Sequence, residues 1–131
     1  MKTEAKERNV QEVEARLKTI GGDMLRIEYL ENCLKQNLAN DIKRFCHLKL
    51  ADLYSNKGMT FQASKNLQIA ADCAVTYKDK MQLLLAETMM RIKAGDYNTA
   101  DESFKKALVC GNDKEKAEMK QQIKKEYFSM A

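Results

Sequence analysis

The pair of residues with the greatest chemical reach is Cys46-His47. A thiol beside an imidazole is the raw material of nucleophilic catalysis and of metal binding. His47 is, however, the single histidine among 131 residues, which removes most hydrolase triads and most zinc sites. Adjacent side chains on a helix point about 100° apart, so in a helical setting these two diverge. The four cysteines, at 33, 46, 73 and 110, contain no Cys-x-x-Cys clip and read as free thiols packed like small hydrophobes. Gly21-Gly22 lacks the glycine-rich spacing and the Lys-Ser/Thr that cradle phosphates. Asp72 and Asp101-Glu102 read as solvated helix faces. The eight methionines, Met89-Met90 among them, are core filler or an adaptable binding surface. No catalytic residue, metal ligand or cofactor site emerges, and no enzymatic activity is expected.

Composition narrows the class further. Hydrophobic residues make up 44% and charged residues 32%, too apolar for a disordered chain and too charged for a membrane one. The longest apolar run, Met81–Met90, is interrupted by Gln82 and Glu87 and falls short of the roughly 20 residues that span a bilayer. The N-terminal residues have no apolar stretch of a secretory signal and the last four residues no prenylation box, so the cytoplasm is the expected location. The net charge of +4 is spread evenly: residues 1–20 carry five basic and four acidic side chains, as do residues 113–131. A nucleic-acid footprint would be more concentrated.

The elements that must position these residues are helices. The chain has no proline, and its five glycines, at 21, 22, 58, 95 and 111, separate segments of helical periodicity. Seven helices are predicted. The first runs from Thr3 to Ile20. The second starts near Asp23, with Ile27, Leu30, Leu34 and Leu38 on one stripe. Asn40 or Asp41 caps the third, which ends at Gly58. Thr60 caps the fourth, which runs to about Tyr77. Asp79 opens the fifth, Asp96 the sixth and Asp113 the last. The last helix has a thin apolar stripe of Ala117, Met119, Ile123, Tyr127 and Met130, as expected of an element that closes a stack.

Spacing then points to repetition. Gly22 to Gly58 is 36 residues and Gly58 to Gly95 is 37, a period typical of stacked two-helix repeats. Aligned on Gly58 and Gly95, Ala63 matches Ala100, Leu67 matches Phe104 and Ala70 matches Ala107. Small residues at these places let helices approach, and the large one fills the gap between them.

The stretch Ala94-Gly95-Asp96-Tyr97-Asn98-Thr99-Ala100 with Phe104, Ala107 and Leu108 resembles the tetratricopeptide repeat family. Leu50-Ala51 and Tyr54, followed by Gly58, Ala63 and Ala70, extend the resemblance over roughly residues 44–110. The family's proline between repeats is missing, and the period exceeds the usual 34 or so residues. The resemblance implies an all-α, right-handed solenoid of antiparallel helix hairpins in one domain spanning 1–131. It would comprise a degenerate hairpin at 3–38, repeats at 41–77 and 79–110, and a capping helix at 113–130.

It also implies a concave groove that binds a peptide or helix of a partner protein. In the first good repeat the groove residues are Phe45, Leu48, Asp52, Ser55 and Asn56. In the second, the register is ambiguous. Anchored on Leu85-Ala86, which echoes Leu50-Ala51, the groove residues are Glu87, Met90 and Arg91. Anchored on Gly95, they are Leu85, Met89, Ile92 and Lys93, with Thr88 as the small contact residue. The Leu-Ala register is preferred, because the other puts Arg91 in the buried place of Tyr54. Asp52 would repel a terminal carboxylate, which argues against the chaperone-tail clamp of some family members. The expected function is a protein–protein interaction adaptor. The alternatives are a helical-repeat RNA-binding protein, disfavoured by Asp52 and Glu87, and a self-associating scaffold subunit, a homo-oligomer formed through the weak stripe Val10, Val13, Leu17 and Ile20.

Overall fold

The computed structural model describes residues 3–130, with the backbone alone for 128–130. Among the described residues there are seven helices and no strand. These are α1 Val10–Thr19, α2 Asp23–Leu34, α3 Asn40–Asn56, α4 Thr60–Asp72, α5 Tyr77–Lys93, α6 Tyr97–Val109 and α7 Asp113–Met130. No helix among the described residues is long and apolar enough to cross a membrane.

The largest departure from the predicted boundaries is at the start. The first helix begins at Val10 rather than Thr3. Asn9 Oδ1 accepts the Glu12 N–H at 2.9 Å, and Glu12 Oε1 reaches back to the Arg8 N–H, also at 2.9 Å. This reciprocal capping fixes the helix start. Upstream of it, the Thr3 and Ala5 carbonyls are taken by side chains of the α2 region instead of by a helical ladder. The fifth helix opens two residues before Asp79, at Tyr77, because Thr76 accepts the Asp79 N–H. The fourth ends at Asp72, short of Tyr77. The last helix opens at Asp113, as predicted, and the preceding Asn112 caps it through a reciprocal pair with Glu115 at 2.8 and 2.9 Å.

The 37-residue period is written into the backbone. Gly58 and Gly95 both adopt positive φ, 75° and 79°, a conformation that costs glycine nothing and other residues about 1 kcal/mol or more. Each follows the same closing pattern. The Gly58 N–H donates to the Ser55 carbonyl and the Met59 N–H to that of Tyr54. The Gly95 N–H donates to Ile92 and the Asp96 N–H to Arg91. These are two copies of the Schellman turn. Beyond each glycine the matched alanines are sealed: Ala63, Ala70 and Ala107 are fully buried and Ala100 is 1% exposed.

Helices pack in chain order, α2 on α3, α3 on α4, α4 on α5 and α5 on α6. α1 lies against α3, and α7 lies against α5 and α6. One apolar cluster joins α1, α2 and α3 through Val13, Leu17, Tyr29, Leu30, Ile42 and Cys46. A second joins α4 to α7 through Leu67, Ala71, Met81, Leu84 and Met119. Arg44 on α3 grips Asp79 on α5 with two hydrogen bonds of 2.6 Å. At the base of α7, a Cβ on Gly111 would sit 3.1 Å from both Met119 Cε and Met81 Sδ, so the chain approaches α5 closely there. Of the predicted α7 stripe, Met119 and Ile123 are buried, Ala117 is exposed and Tyr127 stacks on Tyr97 with ring centroids 5.8 Å apart. The Met130 side chain lies outside the described residues.

Candidate functional site

Cys46 and His47 leave α3 on different sides, and each finds a structural partner. Cys46 is fully buried and hydrogen-bonded to Cys33 of α2. That bond, with burial, pushes the Cys46 thiol well above its ordinary range, which keeps it protonated and unreactive. His47 is half-buried and its Nδ1 meets Asn66 Oδ1 of α4 at 2.8 Å. The pair therefore stitches α3 to two neighbours and forms no common centre. Among the described residues no group of three or more His, Cys, Asp or Glu side chains is placed to hold a metal ion.

The register of α5 is the one anchored on Gly95. Arg91 is 5% exposed and Glu87 is 1% exposed, so neither lines an open surface, and the preference for the Leu-Ala register is corrected. Shifted by 37 residues, Cys46, Leu50 and Ala51 map onto Leu83, Glu87 and Thr88, all of them buried. Shifted by 35, Leu50 and Ala51 would map onto Leu85 and Ala86, which are only half-buried. The repeated turn overrides the repeated dipeptide, because the glycine conformation fixes how the helix before it is rotated. Arg91 is tolerated inside because Glu87 Oε2 accepts its Nε–H at 2.7 Å and the Ser103 hydroxyl at 2.7 Å. Asp96 Oδ2 stands 3.4 Å from Arg91 Nη1.

Of the residues which that register would offer to a groove, Leu85, Met89 and Ile92 are covered and Lys93 is exposed. Ile92 is fully buried, and Leu85 and Met89 pack with Ile123 of α7 in the same apolar cluster. Lys93 Nζ lies 3.8 Å from Glu126 Oε1 of α7. Met90 is half-buried against the second core cluster.

On α3 the predicted residues divide. Phe45 packs on the first core cluster under Lys49, whose Nζ is 5.5 Å from the ring centroid. Leu48 packs on the second. Ser55 is half-buried and Asn56 exposed near the helix end. Asp52 lines a cleft of about 320 Å³, together with Glu14, Leu17 and Lys18 of α1, Arg26 of α2, and Lys49 and Leu53 of α3. Leu17 and Leu53 supply an apolar floor. Three cations and two carboxylates surround it. Arg26 is held in place by Asp23 Oδ1 at 3.0 Å.

Sequence reasoning missed the α1 side of this cleft. The available signal was Glu14 and Lys18 spaced i, i+4 beside Leu17, a mixed-charge edge on an apolar stripe. Comparisons with family models, with curated proteins and with solved structures return no match to this chain.

Proposed function

We propose that the protein is a non-enzymatic interaction module of tetratricopeptide type, whose ligand is a peptide or helix of a partner protein lying in the cleft between α1 and α3. In this reading α3–α4 and α5–α6 are antiparallel hairpins of a short right-handed solenoid, and α7 closes its end. The two matching Schellman turns and the two matching pairs of buried alanines support the repeat.

The observation that carries the binding reading is the cleft itself. A floor of Leu17 and Leu53 rimmed by Glu14, Lys18, Arg26, Lys49 and Asp52 suits an amphipathic segment with charges of both signs. The two carboxylates among the rim charges disfavour a nucleic-acid backbone, which calls for an unbroken basic track. Free thiols at all four cysteines fit a reducing compartment such as the cytosol.

Selection from a displayed random peptide library tests this. Enriched peptides should bind the full chain, and Leu53→Asp or Asp52→Lys should weaken them at least tenfold. A photo-crosslinker at position 49 should capture them while one at Lys105 on α6 does not. Peptides that bind equally well to both cleft variants, or that crosslink only from α6, overturn the reading.

A further inference from the structure

Residues 3–8 lie outside any helix, yet they are bound to the body by specific contacts. Their burial alternates: Thr3 is buried, Ala5 and Glu7 are half-buried, and Glu4, Lys6 and Arg8 are exposed. That period of two is the signature of an extended segment with one face docked. Ala5 packs against the first core cluster.

Two of the four hydrogen bonds that dock the segment on Tyr29, Asn32 and Gln36 are directed at its backbone. The Asn32 amide donates to the Thr3 carbonyl at 2.9 Å, and the Gln36 amide donates to the Ala5 carbonyl at 2.7 Å. Alternate carbonyls of an extended chain are about 6.6 Å apart, close to the roughly 6 Å that four helical residues rise, and Gln36, just past the end of α2, carries the longer side chain. The side chains of the segment add selectivity. Tyr29, fully buried, donates its hydroxyl to Glu7 Oε1, and Arg8 Nη1 donates to Gln36 Oε1 at 2.7 Å. Burial first, and then the bond to Glu7, holds the Tyr29 phenol far above its ordinary range, so it stays a donor.

This is the grammar of peptide recognition: amides that read main-chain carbonyls, small residues at two alternate positions, and a carboxylate at the third. We infer that the face of α2 carrying Tyr29, Asn32 and the following Gln36 is a docking groove for an extended partner peptide of the pattern small–x–small–x–carboxylate. Residues 3–8 of this chain occupy that groove in cis as a built-in competitor. A partner must displace the strap, which a short tether holds at an effective concentration on the order of millimolar. The surface is separate from the α1–α3 cleft, so either can fail without the other.

The test uses the full-length chain and a fluorescent synthetic peptide copying residues 1–9. In the wild type the groove is filled and the peptide binds weakly. In the strap variant Ala5→Arg/Glu7→Gln the same peptide should bind at least tenfold tighter. Adding Asn32→Asp and Gln36→Glu, near-isosteric changes that delete the donors, should return binding to the wild-type level. A peptide with arginine in place of Thr3 and Ala5 should not bind. The side-chain amide resonances of Asn32 and Gln36 supply an independent readout, and they should shift when the strap is altered. Unmoved amide resonances, no gain in the strap variant, or a gain that survives loss of both donors would each overturn the inference. A stable wild-type dimer in light scattering, abolished by the strap variant, would overturn it too, by making the occupant a second copy.

Discussion

The two units α3–α4 and α5–α6 share a backbone plan and differ in what they bury at its centre. Both end their first helix on a positive-φ glycine with the same pair of turn hydrogen bonds. Both place alanine five and twelve residues after it, each at most 1% exposed. Yet Leu50 and Tyr54 in one unit stand where Glu87 and Arg91 stand in the other. The first unit uses an aliphatic side chain and a half-buried phenol that donates to Glu31 at 2.7 Å. The second uses an ion pair with side chains 1% and 6% exposed. The turn and the small residues thus fix the arrangement of helices, and the space they leave accepts either apolar or ionic contents. The ionic solution is the more brittle, since a buried charge depends on its partner.

The largest effect should follow from removing that partner. Arg91→Met leaves Glu87 buried without its cation, and a loss of about 3–5 kcal/mol is expected in chemical denaturation. Glu87 Oε1 already has no hydrogen-bond partner among the described residues, so little is available to compensate. The double variant Glu87→Leu/Arg91→Tyr, which transplants the contents of the first unit, should recover most of the loss. Gln68, 37 residues after Glu31, is the counterpart of the group that receives the Tyr54 hydroxyl. A loss below about 1 kcal/mol for Arg91→Met would break the contrast between the two units.

Next in size are the alanines that the units share. Ala70→Leu and Ala107→Leu overfill sites that are fully buried in both units. Each should cost about 1–3 kcal/mol, and by similar amounts. A large cost at one site and none at the other would mean that the helices of the two units are spaced differently. Smaller still are Gly58→Ala and Gly95→Ala. Nothing lies within 4 Å of a Cβ built on either glycine, so only the left-handed conformation opposes the change. A loss of about 1 kcal/mol at each is expected by thermal or chemical denaturation. Equal losses sharpen the parallel, and unequal ones break it.

The same residues show why some of the structure was legible in the sequence and some was not. Helix number and turn position followed from glycine spacing, a short-range signal, whereas the predicted caps Asn40 or Asp41 and Thr60 lie inside their helices, and Ala39 and Met59 hold the cap positions without a side-chain bond. Ala63, Ala70, Ala100 and Ala107 were recognisable as contact residues because their pattern recurs at a fixed offset. Arg91 was not, because its burial depends on Glu87 and Ser103, and a charged residue placed by its own hydropathy belongs outside. Residues 3–9 misled for a related reason. Their composition favours a helix, but Asn32 and Gln36, some thirty residues away, offer their carbonyls another set of donors. Of the residues that line the α1–α3 cleft, Asp52 was singled out from the repeat register, while Glu14, Lys18 and Arg26 join it through packing of the first two helices. Long-range pairing is what local patterns cannot carry.

The smallest effect sets the neutral solution of the first unit against the ionic one of the second by pH. The hydrogen bond to Glu31, then burial, then the Glu31 charge push the Tyr54 phenol up from 10.0 to about 12. The folded state therefore favours the protonated phenol more than the unfolded state does. The sign follows from linkage: the contribution is complete below pH 10, shrinks as pH rises, and is gone above about 12. At neutral pH, Tyr54→Phe should lower stability by roughly 0.5–1.5 kcal/mol, the worth of a hydrogen bond. The difference between wild type and Tyr54→Phe should close between about pH 10 and pH 12 in parallel denaturation series. Arg91→Met should show no such closure in that window, because a guanidinium remains charged throughout it. A Tyr54→Phe difference that persists unchanged at pH 12 would mean that the phenol's bond to Glu31 does not hold α3 to α2, and that the first unit owes its stability at this point to packing alone.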